Sequence, residues 1–266
     1  MKRNTSRVLL TAAAVLSLAL ICYGLARLYL SYEAGRAARM LKELRTVEVG
    51  GTEMSFLPLA REFEGFQRPA IAPVNGEEYE YVIQIGPGPL AIKDHMTWLD
   101  KIASTILEAM NRPFRRAIGL RLWTAFARIG VNSAQVTSIY GGVIVEGKTE
   151  WLGGQWQLAR STPQQEAQLL ARQGIPWQDT QHYFMKLDPL TSGFSRAQGT
   201  GISVYSWFTP SATSNEKQSA SRFYMGCLTS RQGCRTVCDL VPGASEYVRI
   251  RPNASELCSK PAQGYQ

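Results

Sequence analysis

From Val8 to Ala26 the chain runs nineteen positions without a charge, bracketed by Arg7 and Arg27. As a helix rising ~1.5 Å per residue, this run is roughly 28 Å long, close to the ~30 Å hydrocarbon core of a bilayer. A helix satisfies its own backbone polar groups, so the run can cross a membrane. Everything after it is then tethered or exported. Lys2, Arg3 and Arg7 ahead of an apolar stretch also describe a secretory signal, and Gly24-Leu25-Ala26 places small residues where cleavage would need them. The stretch exceeds the ~7–15 residues of a signal core and has no helix breaker before Gly24, which favours an uncleaved anchor. Lipid modification of Cys22 would need a small residue before it, but Ile21 stands there, so Cys22 reads as an ordinary apolar position.

Tyr23, Tyr29 and Tyr32 cluster at the far end of the run, where amphipathic rings favour the headgroup layer. Charge alone slightly favours a cytoplasmic C-terminus, because Lys2, Arg3 and Arg7 oppose Arg27, Arg36, Arg39, Lys42 and Arg45. Residues 1–45 hold eight Lys/Arg against Glu33 and Glu43, a net of +6, whereas the remaining 21 Lys/Arg against 19 acids leave +2. The basic excess therefore lies beside the membrane, where anionic headgroups are the expected partner and nucleic acid is not.

Cys227, Cys234, Cys238 and Cys258 fall in the last forty residues. Their spacing lacks the close CxxC pairs of a structural zinc site and reads as two disulfides, with Cys227 to Cys234 and Cys238 to Cys258 as the expected pairing. Disulfides need an oxidising compartment, which places the domain outside the cytoplasm. Asn253-Ala254-Ser255 is a glycosylation sequon, relevant only in a host with that machinery.

The division expected is a cytoplasmic tail over 1–7, a transmembrane signal-anchor over 8–30 and a helical stalk over 31–49. An exported domain over 50–226 and a cysteine-containing tail over 227–266 complete it. Ser31 to Arg45 is rich in helix formers, and Gly50-Gly51 ends it. Pro69, Pro73 and Asn75-Gly76 mark a loop, and Tyr79 to Ile85 alternates as a half-buried strand does. A helix is expected from His95 to Asn111, capped by Asp94, with Leu99, Ile102, Ile106 and Met110 at helical spacing, and a second from Phe114 to Ile129. Gln135 to Glu146 and Trp151 to Arg160 read as a hairpin with a bulge at Gly141-Gly142. Thr162-Pro163-Gln164-Gln165 starts a helix that Gly174 ends, Gly201 to Phe208 is a strand, and Thr213-Ser214-Asn215-Glu216 is a capping box opening a helix toward Cys227. Strands and helices mix without a βαβ rhythm. The expected fold is α+β: an N-terminal transmembrane helix and helical stalk, then one mixed, mainly antiparallel sheet domain with packed helices and a disulfide-rich tail.

Gly142 to Thr149 matches the phosphate-loop pattern GxxxxGK[ST]. A phosphate cradle needs a loop followed by a helix, whereas Val143, Ile144 and Val145 favour extended structure and Gly153-Gly154 follows, so no nucleotide site is expected. Gly199-Thr200-Gly201 precedes a strand and is no dinucleotide motif. Arg112, Arg115, Arg116, Arg121 and Arg128 lie in a stretch from Ala109 to Val145 that holds no acid. Arginine forks phosphate or carboxylate, so these five are the candidate anion-binding residues, with pairing to acids from elsewhere the favoured alternative. His95 and His182, with Asp94 and Asp179 nearby, are too few for a histidine-rich metal site, and no GxSxG elbow is present. The six tryptophans can line a groove or fill a core, and the second is the commoner use. No catalytic, metal-binding or cofactor-binding residue is assigned.

Phe114 to Trp123, the Val143 to Leu158 hairpin and the Cys227, Cys234 and Cys238 segment resemble uncharacterised bacterial proteins with one N-terminal anchor and an exported domain. The resemblance implies architecture and a bacterial envelope, and carries no functional residue. The layout also resembles a type IV pilin, but a pilin's leader Gly and early Glu are both missing before Gly24. These readings converge on a single-pass inner-membrane protein whose domain, on the periplasmic or extracytoplasmic side, binds or scaffolds an envelope partner. An exported, membrane-tethered hydrolase is the alternative.

Overall fold

The computed structural model describes residues 2–70, 76–88, 98–147, 151–159, 183–189, 201–208, 213, 215, 217–218, 221–244 and 258. One helix, α1 (Lys2–Leu44), carries both the apolar run and the segment after it without a break. Leu10–Leu44 is long and apolar enough to cross a membrane, and the apolar run is exposed from Leu10 to Tyr23. The character of the helix changes at Leu30. Ala34, Ala37, Met40, Leu41 and Leu44 recur at intervals of three and four, so they share one face, and all are buried. The segment expected as a stalk thus supplies a wall of the domain core.

That wall lies against a sheet. Short β1 (Phe66–Pro69) falls where the sequence suggested a loop, and β2 (Tyr79–Ile85) has the expected bounds. β3 (Trp123–Asn132), β4 (Gln135–Glu146), β5 (Trp151–Ala159), β6 (Tyr183–Pro189) and β7 (Gly201–Phe208) complete seven strands in the order β1-β2-β3-β4-β5-β7-β6. The sheet is mixed and mainly antiparallel, because among the described strands only the β5 and β7 pair runs parallel. The chain after α1 reaches the far end of the sheet, where the Gly50 amide donates to the Val136 carbonyl at 2.7 Å and Thr52 bridges Gln135. A 3-10 turn (Glu53–Ser55) and α2 (Leu57–Glu62) follow, closing Phe56 and Phe63 into the core.

Three expectations are corrected. Phe114 to Ile129 is not one helix: α4 (Arg112–Ala117) ends at Gly119, whose φ of 78° is left-handed, and β3 begins at Trp123. Helix formers such as Ala125, Ala127 and Arg128 are overruled by pairing on both sides, with β2 and β4. The hairpin carries no bulge at Gly141-Gly142, where the register is continuous on both sides; the irregularity lies at Gly130/Val131. A Cβ on Gly141 would meet the Trp156 ring at 2.6 Å and one on Gly142 the Phe126 ring at 2.5 Å. These glycines make room for aromatic rings. The helix opening near Thr213 is present at Asn215, Lys217 and Gln218 but does not carry Phe223 and Tyr224: Arg222, Phe223 and Tyr224 run without helix into α5 (Gly226–Thr229).

Two cores result. One face of the sheet, with Ile83, Ile85, Ala125, Ile129, Val143 and Val145, packs against α1 and against the C-terminal segment through Cys227, Leu228, Val237 and Leu240. A second cluster gathers Leu30 of α1, Leu107 of α3 (Trp98–Ala109), Leu120, Leu122, Phe126, Ile144 and Trp151 at the end of the sheet nearest the apolar run. Trp123, Trp151 and Trp156 are buried, while Trp98 is exposed. The predicted strand 201–208 has its expected bounds; Asp94, His95, Lys148, the helix over 162–174, Trp177, Asp179, His182 and the sequon lie outside the described residues.

Cys227 and Cys234 are paired with Cα atoms 4.8 Å apart, and Cys238 and Cys258 with Cα atoms 5.3 Å apart, both within the span that a disulfide bridges. Between the pairs, Thr236 caps α6 (Val237–Leu240): its hydroxyl accepts from the Asp239 amide at 3.2 Å and Asp239 reciprocates to the Thr236 amide at 3.0 Å.

Candidate functional site at the end of the apolar run

The acid-free stretch is balanced by the first acid beyond it. Glu146, 1% exposed at the end of β4, accepts from Arg115 Nη2 on both carboxylate oxygens at 2.9 and 2.8 Å and is ion-paired with Arg112, whose Nε lies 2.7 Å away. Arg116 stands 3.6 Å away. Arg115 also donates to the carbonyls of Leu107 and Met110, tying the end of α3 to α4. Burial, then the neighbouring Arg112, pushes Arg116 down to about 10, so it stays charged at neutral pH. Three guanidiniums on one carboxylate leave this corner net positive. Its nearest anion is internal.

The other two candidate arginines go elsewhere. Arg121 donates to the carbonyls of Arg231 and Gln232 at 3.3 and 2.9 Å, pinning the turn inside the Cys227 to Cys234 loop. Burial lowers its affinity for a proton, and Glu146 partly restores it. Arg128 is exposed on β3 with its guanidinium 5.9 Å from the Phe126 ring centre. The five arginines thus divide into a cluster of three around the buried Glu146, of which Arg115 is itself buried, and two separate contacts.

A second set of contacts was not legible in the sequence. The Tyr23 hydroxyl donates to the Ile118 carbonyl at 2.8 Å, Arg27 Nη1 donates to the Gly119 carbonyl at 3.0 Å, and the Tyr29 hydroxyl donates to Asp100. The aromatic cluster at the end of the run is therefore where α3 and α4 attach to α1. Beside it, Tyr29, Tyr32, Glu33, Arg36, Arg39, Phe63, Trp98 and Leu99 line most of a cleft of about 500 Å³. Charges and rings alternate in it: Arg36 Nη1 lies 3.1 Å from Glu33, and Arg39 lies 3.5 Å from Glu62 and 6.0 Å from the Phe63 ring centre. Burial holds the Glu33 carboxyl above the usual range, against the pull of Arg36.

Each arginine of the cleft faces an acid of its lining, Arg36 facing Glu33 and Arg39 facing Glu62, while Trp98 and Phe63 form apolar walls, a surface suited to a small amphipathic group. Gly142 to Glu146 of the phosphate-loop pattern are extended strand of β4 in place of a cradle, and Lys148 and Thr149 lie outside the described residues. Among the described residues, no group of three or more His, Cys, Asp and Glu is placed to hold a metal ion. The chain matches no family model, no curated protein and no solved structure.

Proposed function

We propose that this chain is a single-pass, membrane-anchored envelope protein whose domain, on the periplasmic or extracytoplasmic side of the inner membrane, binds or scaffolds a protein partner. The observation that carries this reading is the continuity of α1, which holds the apolar run and a wall of the domain core in one helix. A flexible tether suffices for an enzyme acting on diffusing substrates. A domain held at fixed height and attitude presents its surface to a neighbour with much of the orientational cost of binding already met. The cysteine pairs support the oxidising side.

Protease protection in sealed inner-membrane vesicles of both orientations tests the side. Photocrosslinking in native membranes tests the role, with a photoreactive residue at Met54, which is 73% exposed at the end of the sheet far from the apolar run. A discrete adduct with one envelope protein is the expected result. Digestion from the cytoplasmic face, or absence of an adduct together with turnover of ester or peptide substrates by the purified protein, would overturn the reading.

A further inference from the structure

α3 is amphipathic in an inverted sense. Asp100, Ser104 and Leu107 face inward and are buried, whereas Trp98, Leu99, Ile102 and Ile106 are 46–69% exposed. At ~100° per residue, those four fall within a single arc of roughly 100°, on the opposite side of the helix from Asp100, Ser104 and Leu107. Phe114 of α4 adds another exposed ring, at 57%. A large apolar arc turned outward, with polar groups turned in, is costly in water and calls for a cover.

The attachments to α1 say what lies there. Tyr23, which holds Ile118, is three residues inside the end of the apolar run, and Tyr29, which holds Asp100, is three residues beyond it. At ~1.5 Å per residue each is within about 5 Å of the hydrocarbon boundary when the run spans the bilayer. The headgroup layer outside that boundary is itself roughly 5–7 Å deep. α4 ends at the depth of the acyl chains, and α3 starts at the depth of the headgroups. A side chain pointing away from the protein at that depth meets lipid. Lys101 and Glu108 are exposed along one side of the arc, where their charges can reach the aqueous edge.

We propose that α3 and the start of α4 form a second membrane contact, an interfacial helix set into the leaflet from which α1 emerges, with Trp98, Leu99, Ile102, Ile106 and Phe114 against lipid. Bilayer lipid is the occupant because the anchor fixes the depth of the face, as no other partner on this surface does. The inference rests on α1 crossing the bilayer, whichever side the domain takes.

The full-length protein, reconstituted in vesicles of phosphatidylethanolamine and phosphatidylglycerol, tests it through fluorescence quenching by bromine on the acyl chains. The Trp98 contribution is the difference between wild type and Trp98→Phe, and Phe114→Trp adds a second reporter at an exposed position. Both contributions should fall at least twofold in brominated vesicles. If neither falls while the protein stays inserted through a carbonate wash, the interfacial helix is wrong and the anchor stands. If neither falls but both become sensitive to protein dilution among vesicles, a second copy covers the face and the inference is equally overturned. Release of the protein by the wash removes the anchor reading and this inference together.

Discussion

Arg115 grips Glu146 in a fork, with Nη2 at 2.9 and 2.8 Å from the two carboxylate oxygens, and neither side chain reaches solvent to more than 5%. The pair joins α4 to the end of β4, and Arg115 simultaneously holds the last carbonyls of α3. Without the carboxylate, three guanidiniums would share one corner with no internal counterion. Glu146→Gln should therefore cost about 3–5 kcal/mol, the usual consequence of deleting one member of a buried pair. In a domain of this size that is a fall in melting temperature on the order of 10 °C. Thermal unfolding in detergent measures it, and a shift under 2 °C would show the cluster to be water-compensated.

Glu33 gives a pH-dependent prediction. Its carboxyl is pushed up by burial, with Arg36 opposing and Asp100 and Glu64 adding repulsion from α3 and from the chain after α2. A raised folded-state value means the native protein favours the protonated acid. The associated stability is full at pH below the unfolded value, near ~4.3, and is lost as pH rises through the folded value. Glu33→Gln cannot titrate, so its melting temperature relative to wild type should rise as pH increases from 4 toward 8 and level off once pH has passed the folded value. A difference that falls over that range would mean that pairing with Arg36 outweighs desolvation.

The cysteine pairs should act locally and unequally. Cys227 and Cys234 are buried among Leu228 and Val237, and Arg121 braces the turn between them. Cys238, only partly buried against the core, is tied to the half-buried Cys258 across a separation of 20. Loop closure alone is worth about 2–3 kcal/mol for the first and slightly more for the second. The buried pair should nevertheless resist reduction longer. Timed alkylation under mild dithiothreitol, read by mass spectrometry, should modify Cys238 and Cys258 first; the reverse order would place the Cys227 to Cys234 loop outside the core.

How much of this was legible follows from what local pattern can encode. β2 and β7 have their expected bounds because period-two alternation or β-branched and aromatic composition survives in them. β3 was misread because it is buried on both faces, which erases alternation, and because Ala125, Ala127 and Arg128 favour helix on their own. The arginine run showed its imbalance but not its counterion. Only the β3 to β4 hairpin, which lays Val145 beside Trp123, returns Glu146 to the neighbourhood of α4. Likewise, the spacing of Leu99, Ile102 and Ile106 marks an apolar face without saying which way it turns. That direction is set by Asp100 reaching Tyr29.

The unbroken helix makes a last prediction by phase. Adding one residue to a helix rotates everything before it by ~100° relative to everything after it. An alanine inserted between Leu16 and Ser17 falls where the helix is exposed, so no domain contact should change. An alanine inserted between Ser31 and Tyr32 leaves Ala34 to Leu44 in place but swings Leu30 out of its cluster, and takes Tyr23 and Arg27 away from the Ile118 and Gly119 carbonyls. Loss of a buried leucine contact alone costs about 2–5 kcal/mol. The first insertion should leave the melting temperature of the domain within about 1 °C, and the second should lower it on the order of 5–10 °C. If both are silent, the domain tolerates any anchor phase, and α1 is a tether whose upper half is merely adjacent to the membrane-spanning one.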